Sequence, residues 1–272
     1  MRTLPEPFAG WFAARGWTPR PHQMALLEAA EAGRSALLIA PTGGGKTLAG
    51  FLPSLTDLAQ GRPDQGATRG LHTLYISPLK ALAVDIARNL TTPIEEMGLP
   101  IRVETRTGDT PANRRQRQRE NPPEILLSTP ESLVLLLSLP DAAEIFGRLR
   151  AVVVDEVHAL AGTKRGDQLA LCLSRLQRLS PGLRRIGLSA TVAQPEALRA
   201  WIAPDARPEG AALITGQGGA DPSLEIVLPE GHLPWGGHMG LASAPEIYRR
   251  IGGAGVTIVF VNTLSLIHIS EP

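Results

Sequence analysis

A chain of 272 residues with 43% hydrophobic but only 4% aromatic residues can build a sizeable core, and that core must be aliphatic. A net charge of +1 excludes a polycation that coats nucleic acid along its whole length, so any such contact must come from a local patch. No run reaches the ~18 apolar residues of a membrane span, the N-terminus lacks the apolar run of a signal peptide, and Cys172 is the single cysteine, which leaves the cytoplasm as the expected compartment.

In chain order, Trp11, Phe12 and Trp17 are read as packing an N-terminal helix, with an aromatic near Gln23 also able to stack on a planar base. Short apolar runs then recur: Ala36–Ile39, Thr73–Ile76, Ile101–Val103, Ile125–Leu127, Ala151–Val154 and Arg185–Leu188. Near-continuous runs of this length suit strands buried on both faces of a parallel sheet. Between them, helical patterns occupy Leu48–Ala59, Leu79–Leu90, Pro130–Leu137 and Asp167–Leu179, the last with Leu169, Leu173, Leu176 and Leu179 on one core-facing stripe. The alternation predicts an α/β domain, a mostly parallel sheet flanked by helices, over residues 1–210. From Pro204 the texture turns Gly-, Pro- and Ala-rich, so residues 211–253 are read as a linker with a strand near Leu224–Leu228 and a helix near Pro245–Ile251. Residues 254–263, with the run Val256–Val261, read as the first strand of a second domain. The tail 264–272 resembles the translation of a transposase-type sequencing adapter, and is expected to be non-native.

The strongest chemical signal is Ala40-Pro41-Thr42-Gly43-Gly44-Gly45-Lys46-Thr47, between a strand and a helix. Glycines let successive backbone N–H groups curl around a phosphate chain, and the following helix N-terminus adds its dipole. Lys46 then supplies a point charge to the terminal phosphates and Thr47 a ligand to Mg²⁺, which makes ATP the expected ligand. A second signal, Asp155-Glu156-Val157-His158, closes the strand Ala151–Val154. Beside a phosphate loop, Asp155 is expected to hold the Mg²⁺ shell and Glu156 to polarise water as general base. A third, Ser189-Ala190-Thr191, ends another core strand, where small hydroxyls can bond the acidic segment, His158 in particular.

Of the 27 basic residues only Lys46, Lys80 and Lys164 are lysines. A drift from Lys to Arg is ordinary in GC-rich genomes, and a lysine kept against it marks a place where a compact ammonium serves better than a planar guanidinium. The run Arg114–Arg119 is read as a solvated helix face rather than a direct nucleic-acid contact. His22, His72, His232, His238 and His268 have no metal-ligand spacing.

Taken in order, APTGGGKT, DEVH and SAT resemble the superfamily two helicases. Further segments extend the likeness: TPRPHQ ending at Gln23 is similar to the adenine-reading Q motif, SPLKAL at Ser77–Leu82 to motif Ia, STPESL at Ser128–Leu133 to motif Ib, and TRTGDTP at Thr105–Pro111 to the intervening backbone-contacting segment. Together with Lys164-Arg165-Gly166 and LPWGGH near Leu233, they resemble the bacterial large helicase-related family, nearest its ligase-associated DNA damage response DEXH-box branch. The resemblance implies a RecA-like fold and an ATP-dependent DNA helicase or translocase. It implies that Gln23 reads adenine and that His158, Ser189 and Thr191 couple hydrolysis to domain movement. Ser77, Pro78, Lys80, Thr107, Gly108, Thr129 and Pro130 would line a single-strand track. A DNA-repair nuclease and ligase are implied as partners, and a second RecA-like domain with its arginine fingers is implied beyond this chain. Still open at this stage are an ATP-gated binding module without unwinding activity, an RNA-directed helicase, and an unrelated P-loop kinase or ATPase.

Overall fold

The computed structural model describes residues 3–61, 70–190, 192–216, 224–226 and 239–252, with Thr257 and Phe260. It divides into two compact units, residues 1–219 and 220–272.

In the first unit, α1 (Phe8–Ala14) and α2 (Pro21–Glu31) lead into β1 (Ser35–Ile39) and α3 (Lys46–Ala59). There follow β2 (Thr73–Ile76), α4 (Lys80–Glu96), β3 (Val103–Arg106), α5 (Ala112–Glu120), β4 (Ile125–Ser128), α6 (Pro130–Leu137) and α7 (Ala142–Phe146). The unit closes with β5 (Ala151–Val154), α8 (Val157–Leu160), α9 (Lys164–Leu179), β6 (Arg184–Ser189), α10 (Pro195–Ile202) and β7 (Ala211–Thr215). The seven strands form one parallel sheet in the order β3-β4-β2-β5-β6-β1-β7.

Successive side chains on a strand point to opposite faces, and the core divides accordingly. Leu37 and Ile39 of β1, Leu74 and Ile76 of β2, and Val152 and Val154 of β5 face α6, α7, α9 and α10. Ala36, Leu38, Tyr75 and Val153 face α1 to α4. Covering both faces is what a parallel sheet with helical crossovers requires, and it explains why the strands read as apolar runs without alternation. The stripe on α9 packs as expected: Leu169, Leu173 and Leu176 are buried and Leu179 half-buried against the same cluster.

Two sequence expectations move. The strand read at Ile101–Val103 begins only at Val103, because Arg102 is held by Glu124, which accepts from its backbone N–H at 2.8 Å and its Nε at 3.3 Å. The chain before Val103 is thereby fixed as the exit turn of α4, with Ile101 N–H donating to the Leu99 carbonyl. The domain end read at residue 210 is also too early. Strand β7 pairs with all of β1, from Ser35 opposite Ala211 to Ile39 opposite Thr215, so residues 211–215 belong to the sheet and not to a linker.

In the second unit, α11 (Met239–Ile251) contains the helix read at Pro245–Ile251, with Arg250 paired to Glu246 and Glu225. Leu224–Ile226 carry no strand, and the rest of the run to Leu228 lies outside the described residues. So do the tail 264–272 and most of 254–263.

Candidate functional site

The register of the sheet brings three motif-bearing strand ends together. Ile39 of β1 lies opposite Ser189 of β6, and Gly187 of β6 opposite Val154 of β5. Adjacent strands are ~4.8 Å apart, so the loops leaving β1 and β5 start about 10 Å from one another with β6 between them.

The loop after β1 is tightly wound. Gly43 and Gly45 sit at φ +75° and +72°, the left-handed region that favours glycine. A side chain on Gly44 would bring its Cβ to 2.8 Å from the Pro41 carbonyl oxygen. Gly45 caps α3, whose first residues are Lys46 and Thr47, and so the helix N-terminus opens directly onto the loop. The Lys46 ammonium donates to the carbonyls of Ala40 at 2.8 Å and Pro41 at 3.1 Å. Thr42 and Gly43 form the exposed crest.

Helix α2 braces this loop from behind. Gln23 is buried; its Oε1 accepts from Arg20 N–H at 2.9 Å, and its Nε2 lies 3.2 Å from where a Cβ on Gly45 would be. His22 is buried as well, with Nε2 bonded to the Gly44 carbonyl at 2.9 Å, and burial lowers its pKa. Neither spacing nor residue type in the sequence pointed to His22 as a prop of the loop. A cavity of about 460 Å³ adjoins, lined by Trp11, Arg15, Trp17, Gly45, Thr47 and Phe51 among others. Its aromatic wall is stiffened by Arg15, whose guanidinium lies 4.3 Å from the Trp11 ring centroid and pairs with Glu96, which also accepts from Trp11 Nε1 at 2.8 Å. Trp17 stays half exposed, unlike buried Phe12.

At the end of β5, Asp155 is buried and its carboxylate is fixed on both oxygens. Oδ1 accepts from Glu156 N–H at 2.9 Å and Oδ2 from the Tyr75 hydroxyl. Glu156 itself stands at φ +49°, ψ +46°, a conformation that costs a non-glycine residue about 1–2 kcal/mol. Its twist leaves the side chain half-buried beside His158, whose Nε2 is 3.3 Å from Glu156 Oε2. His158 Nδ1 lies 3.0 Å from Ser189 Oγ, and Ser189 is fully buried. The Ser189 hydroxyl donates to the Ala190 carbonyl at 2.9 Å, so its oxygen is left to accept from His158 Nδ1–H, and the imidazole is held between Ser189 and Glu156. Thus the expected contact between DEVH and SAT is present through Ser189, while Thr191 lies outside the described residues.

The donor set fits a hard divalent cation and a polyphosphate. Buried Asp155 has no cationic partner among the described residues, Thr47 offers a hydroxyl in the first turn of α3 directly after the glycine loop, and oxygen ligands of this kind suit Mg²⁺ held jointly by protein and phosphates. No cluster of three or more His, Cys, Asp or Glu that could hold a metal ion by itself exists among the described residues.

The residues read as a strand track divide into two kinds. Ser77 and Thr129 are buried and used internally: Ser77 Oγ accepts from Leu79 N–H at 3.3 Å, and Thr129 caps α6, accepting from Ser132 N–H at 3.4 Å, with Pro130 following as its first residue. Lys80 and Gly108 are exposed, and Thr107 is half-buried in a turn closed by Thr110 Oγ1 at 2.9 Å. These loops are tied together. Lys80 pairs with Asp109 at 3.0 Å, while Arg165 donates to Glu131 at 2.7 Å and to the Pro78 carbonyl at 2.9 Å. The Arg114–Arg119 run forms α5 and is anchored to the sheet edge: Arg114 and Arg117 pair with Glu104, Arg119 with Asp141, and Arg115 donates to the Gly108 carbonyl at 2.6 Å.

Residues 20–199 match the family model described as DEAD/DEAH box helicase. The chain is similar to the Lhr helicase/probable uracil glycosylase of Mycolicibacterium smegmatis, 48% identical over 203 residues that make up 71% of this chain and 13% of that protein. It is 41% identical over 248 residues to the Lhr helicase/uracil glycosylase of Escherichia coli, covering 83% of this chain and 16% of that one. The solved structure of the Mycobacterium smegmatis helicase Lhr bound to ssDNA and AMP-PNP superposes with a TM-score of 0.81 at 37% identity, over 98% of this chain and 35% of that one. This chain therefore spans about a third or less of these relatives. A family match reaching from the Gln23 brace to beyond the Ser189 strand end shows that the chain belongs to the DEAD/DEAH box helicases.

Proposed function

We propose that this chain is the ATP-binding part of a DNA helicase or translocase that uses ATP hydrolysis to move along single-stranded DNA. The observation that carries the reading is the convergence of the Lys46 loop, the Asp155–Glu156 pair and the His158–Ser189 contact on one edge of the sheet. Lys46, Thr47 and the glycine backbone would hold the phosphates, with Mg²⁺ between Thr47 and Asp155; the cation would neutralise phosphate charge. Glu156 would take the proton of the attacking water. Its contact with His158 passes to Ser189, and with Thr191 this is the route by which hydrolysis is coupled to movement. Gln23 and the Trp11–Trp17 cavity would receive adenine. Lys80, Gly108 and Thr107, with backbone groups of Ser77, Pro78, Thr129 and Pro130, would grip the strand at its phosphates, a grip that carries no base information.

The likeness to a helicase solved with ssDNA and AMP-PNP supports DNA as the track. The motif likeness to the ligase-associated branch supports a role in DNA repair beside a nuclease and a ligase in the cytoplasm. No helix among the described residues is long and apolar enough to cross a membrane. Titrating a fluorescent ATP analogue with Mg²⁺ against wild type and Lys46→Ala tests the reading. Loss of one charge-assisted contact of about 1.5–3 kcal/mol predicts roughly 10- to 100-fold weaker binding. Equal binding by the variant would mean that the phosphate loop is misassigned.

A further inference from the structure

Tyr75 lies in β2, a run read in the sequence only as a buried strand with no site role, and it is fully buried with its hydroxyl on the Asp155 carboxylate. A phenol in an aliphatic core needs a partner, and here the partner is the acidic group at the end of the neighbouring strand: Ile76 of β2 pairs with Val154 of β5, which brings the Tyr75 ring beside the start of DEVH. The ring stacks on Phe51 at a centroid distance of 5.2 Å and an interplanar angle of 23°. Phe51 stands four residues beyond Thr47 on α3, so the two share one helix face. A single aromatic pair therefore runs from the helix that carries Thr47 to the carboxylate of Asp155.

We infer that Tyr75 is a positioning residue for the cation site: stacked on Phe51, it fixes the Asp155 carboxylate in register with Thr47. The inference rests on the assignment of Thr47 and Asp155 as the Mg²⁺ ligands. Each carboxylate oxygen has two acceptor positions. Glu156 N–H and the Tyr75 hydroxyl occupy one on each, which sets the carboxylate plane and leaves the other two for the cation or its water. Partners of this kind behind metal ligands orient them without touching the ion.

The test uses the full 272-residue chain, titrated with a fluorescent ATP analogue in EDTA and then with increasing Mg²⁺, for wild type, Tyr75→Phe, Asp155→Asn and the double variant. Tyr75→Phe keeps the ring and its stack on Phe51 and removes only the hydroxyl, and thermal unfolding sets a working temperature at which each variant is folded. The expected result is that Tyr75→Phe raises the Mg²⁺ concentration needed for half-maximal enhancement about tenfold or more. Affinity in EDTA changes less than about twofold, and Tyr75→Phe adds nothing in the Asp155→Asn background, as expected for coupled neighbours. Wild-type Mg²⁺ dependence in Tyr75→Phe, alongside its loss in Asp155→Asn, overturns the inference and leaves the cation site standing. Wild-type Mg²⁺ dependence in Asp155→Asn overturns the cation assignment itself. Equal loss of binding by Tyr75→Phe with and without Mg²⁺ assigns the tyrosine to general packing and overturns the positioning role.

Discussion

Alanine placed in turn at Gly43, Gly44 and Gly45 separates three costs that the loop combines. Gly43 sits at φ +75° with nothing within 4 Å of a built Cβ, so Gly43→Ala carries only the left-handed penalty of about 1–2 kcal/mol. Gly45, at φ +72°, carries the same penalty and adds a 3.2 Å approach to Gln23 Nε2, which must turn aside. Gly44 has no left-handed penalty, but its Cβ would lie 2.8 Å from the Pro41 carbonyl oxygen, a backbone atom that accepts from Gly44 N–H at 3.0 Å and from Lys46 Nζ at 3.1 Å. Relieving that clash opens the turn and forfeits one neutral and one charged hydrogen bond, together about 2–4 kcal/mol. Urea unfolding at constant m-value measures the order, and nucleotide titration measures the consequence for binding. Gly44→Ala should be the most destabilising and Gly43→Ala the least. A Gly44→Ala chain as stable as Gly43→Ala would refute the wound conformation on which the phosphate-binding argument rests.

Two further outcomes follow from burial. Leu173→Ala, at a fully buried position of α9, should cost about 2–5 kcal/mol in urea unfolding, whereas Leu171→Ala two residues away, 74% exposed, should stay within about 0.5 kcal/mol. His22 is held neutral by burial with its pKa below the ordinary 6.5, so the unfolded chain takes up its proton first as pH falls. Its contribution is full above pH 6.5 and declines below that value, until the folded protein's own lowered pKa is reached. His22→Gln should flatten the stability-versus-pH curve just below 6.5, and an unchanged slope counts against a buried neutral His22.

What could be read from the sequence was whatever depends on local pattern. The runs at β1, β2, β4, β5 and β6 announce themselves because both faces of those strands are buried, and the phosphate loop because only glycines permit its turns. Strand β7 was hidden: Ala211-Ala212-Leu213-Ile214-Thr215 is short, its residues beyond Ala211 are half-buried or exposed, and it is flanked by glycine and proline. It is a strand because β1 offers it an edge, which no window around residue 211 records. Tyr75 and His22 were hidden for a related reason. Each meets its partner across the fold, 80 residues away for Tyr75 and Asp155 and 22 for His22 and Gly44, so residue type alone gave them only a place in the core. Arg165 belongs with them: the KRG motif was visible, but not its two bonds to Pro78 and Glu131.

The left-handed backbone at Glu156 sets a ceiling on how robust this fold can become while keeping its chemistry. Glycine or asparagine would relax the conformation and should yield a protein more stable by a fraction of a kcal/mol to about 1 kcal/mol, but without the carboxylate assigned to activate water. A search for thermostable variants that screens melting temperature alone is therefore drawn toward an inert protein at this position. Glutamine keeps both the backbone cost and the side-chain shape, so Glu156→Gln is the substitution that isolates the proton-taking role from the strain that supports it.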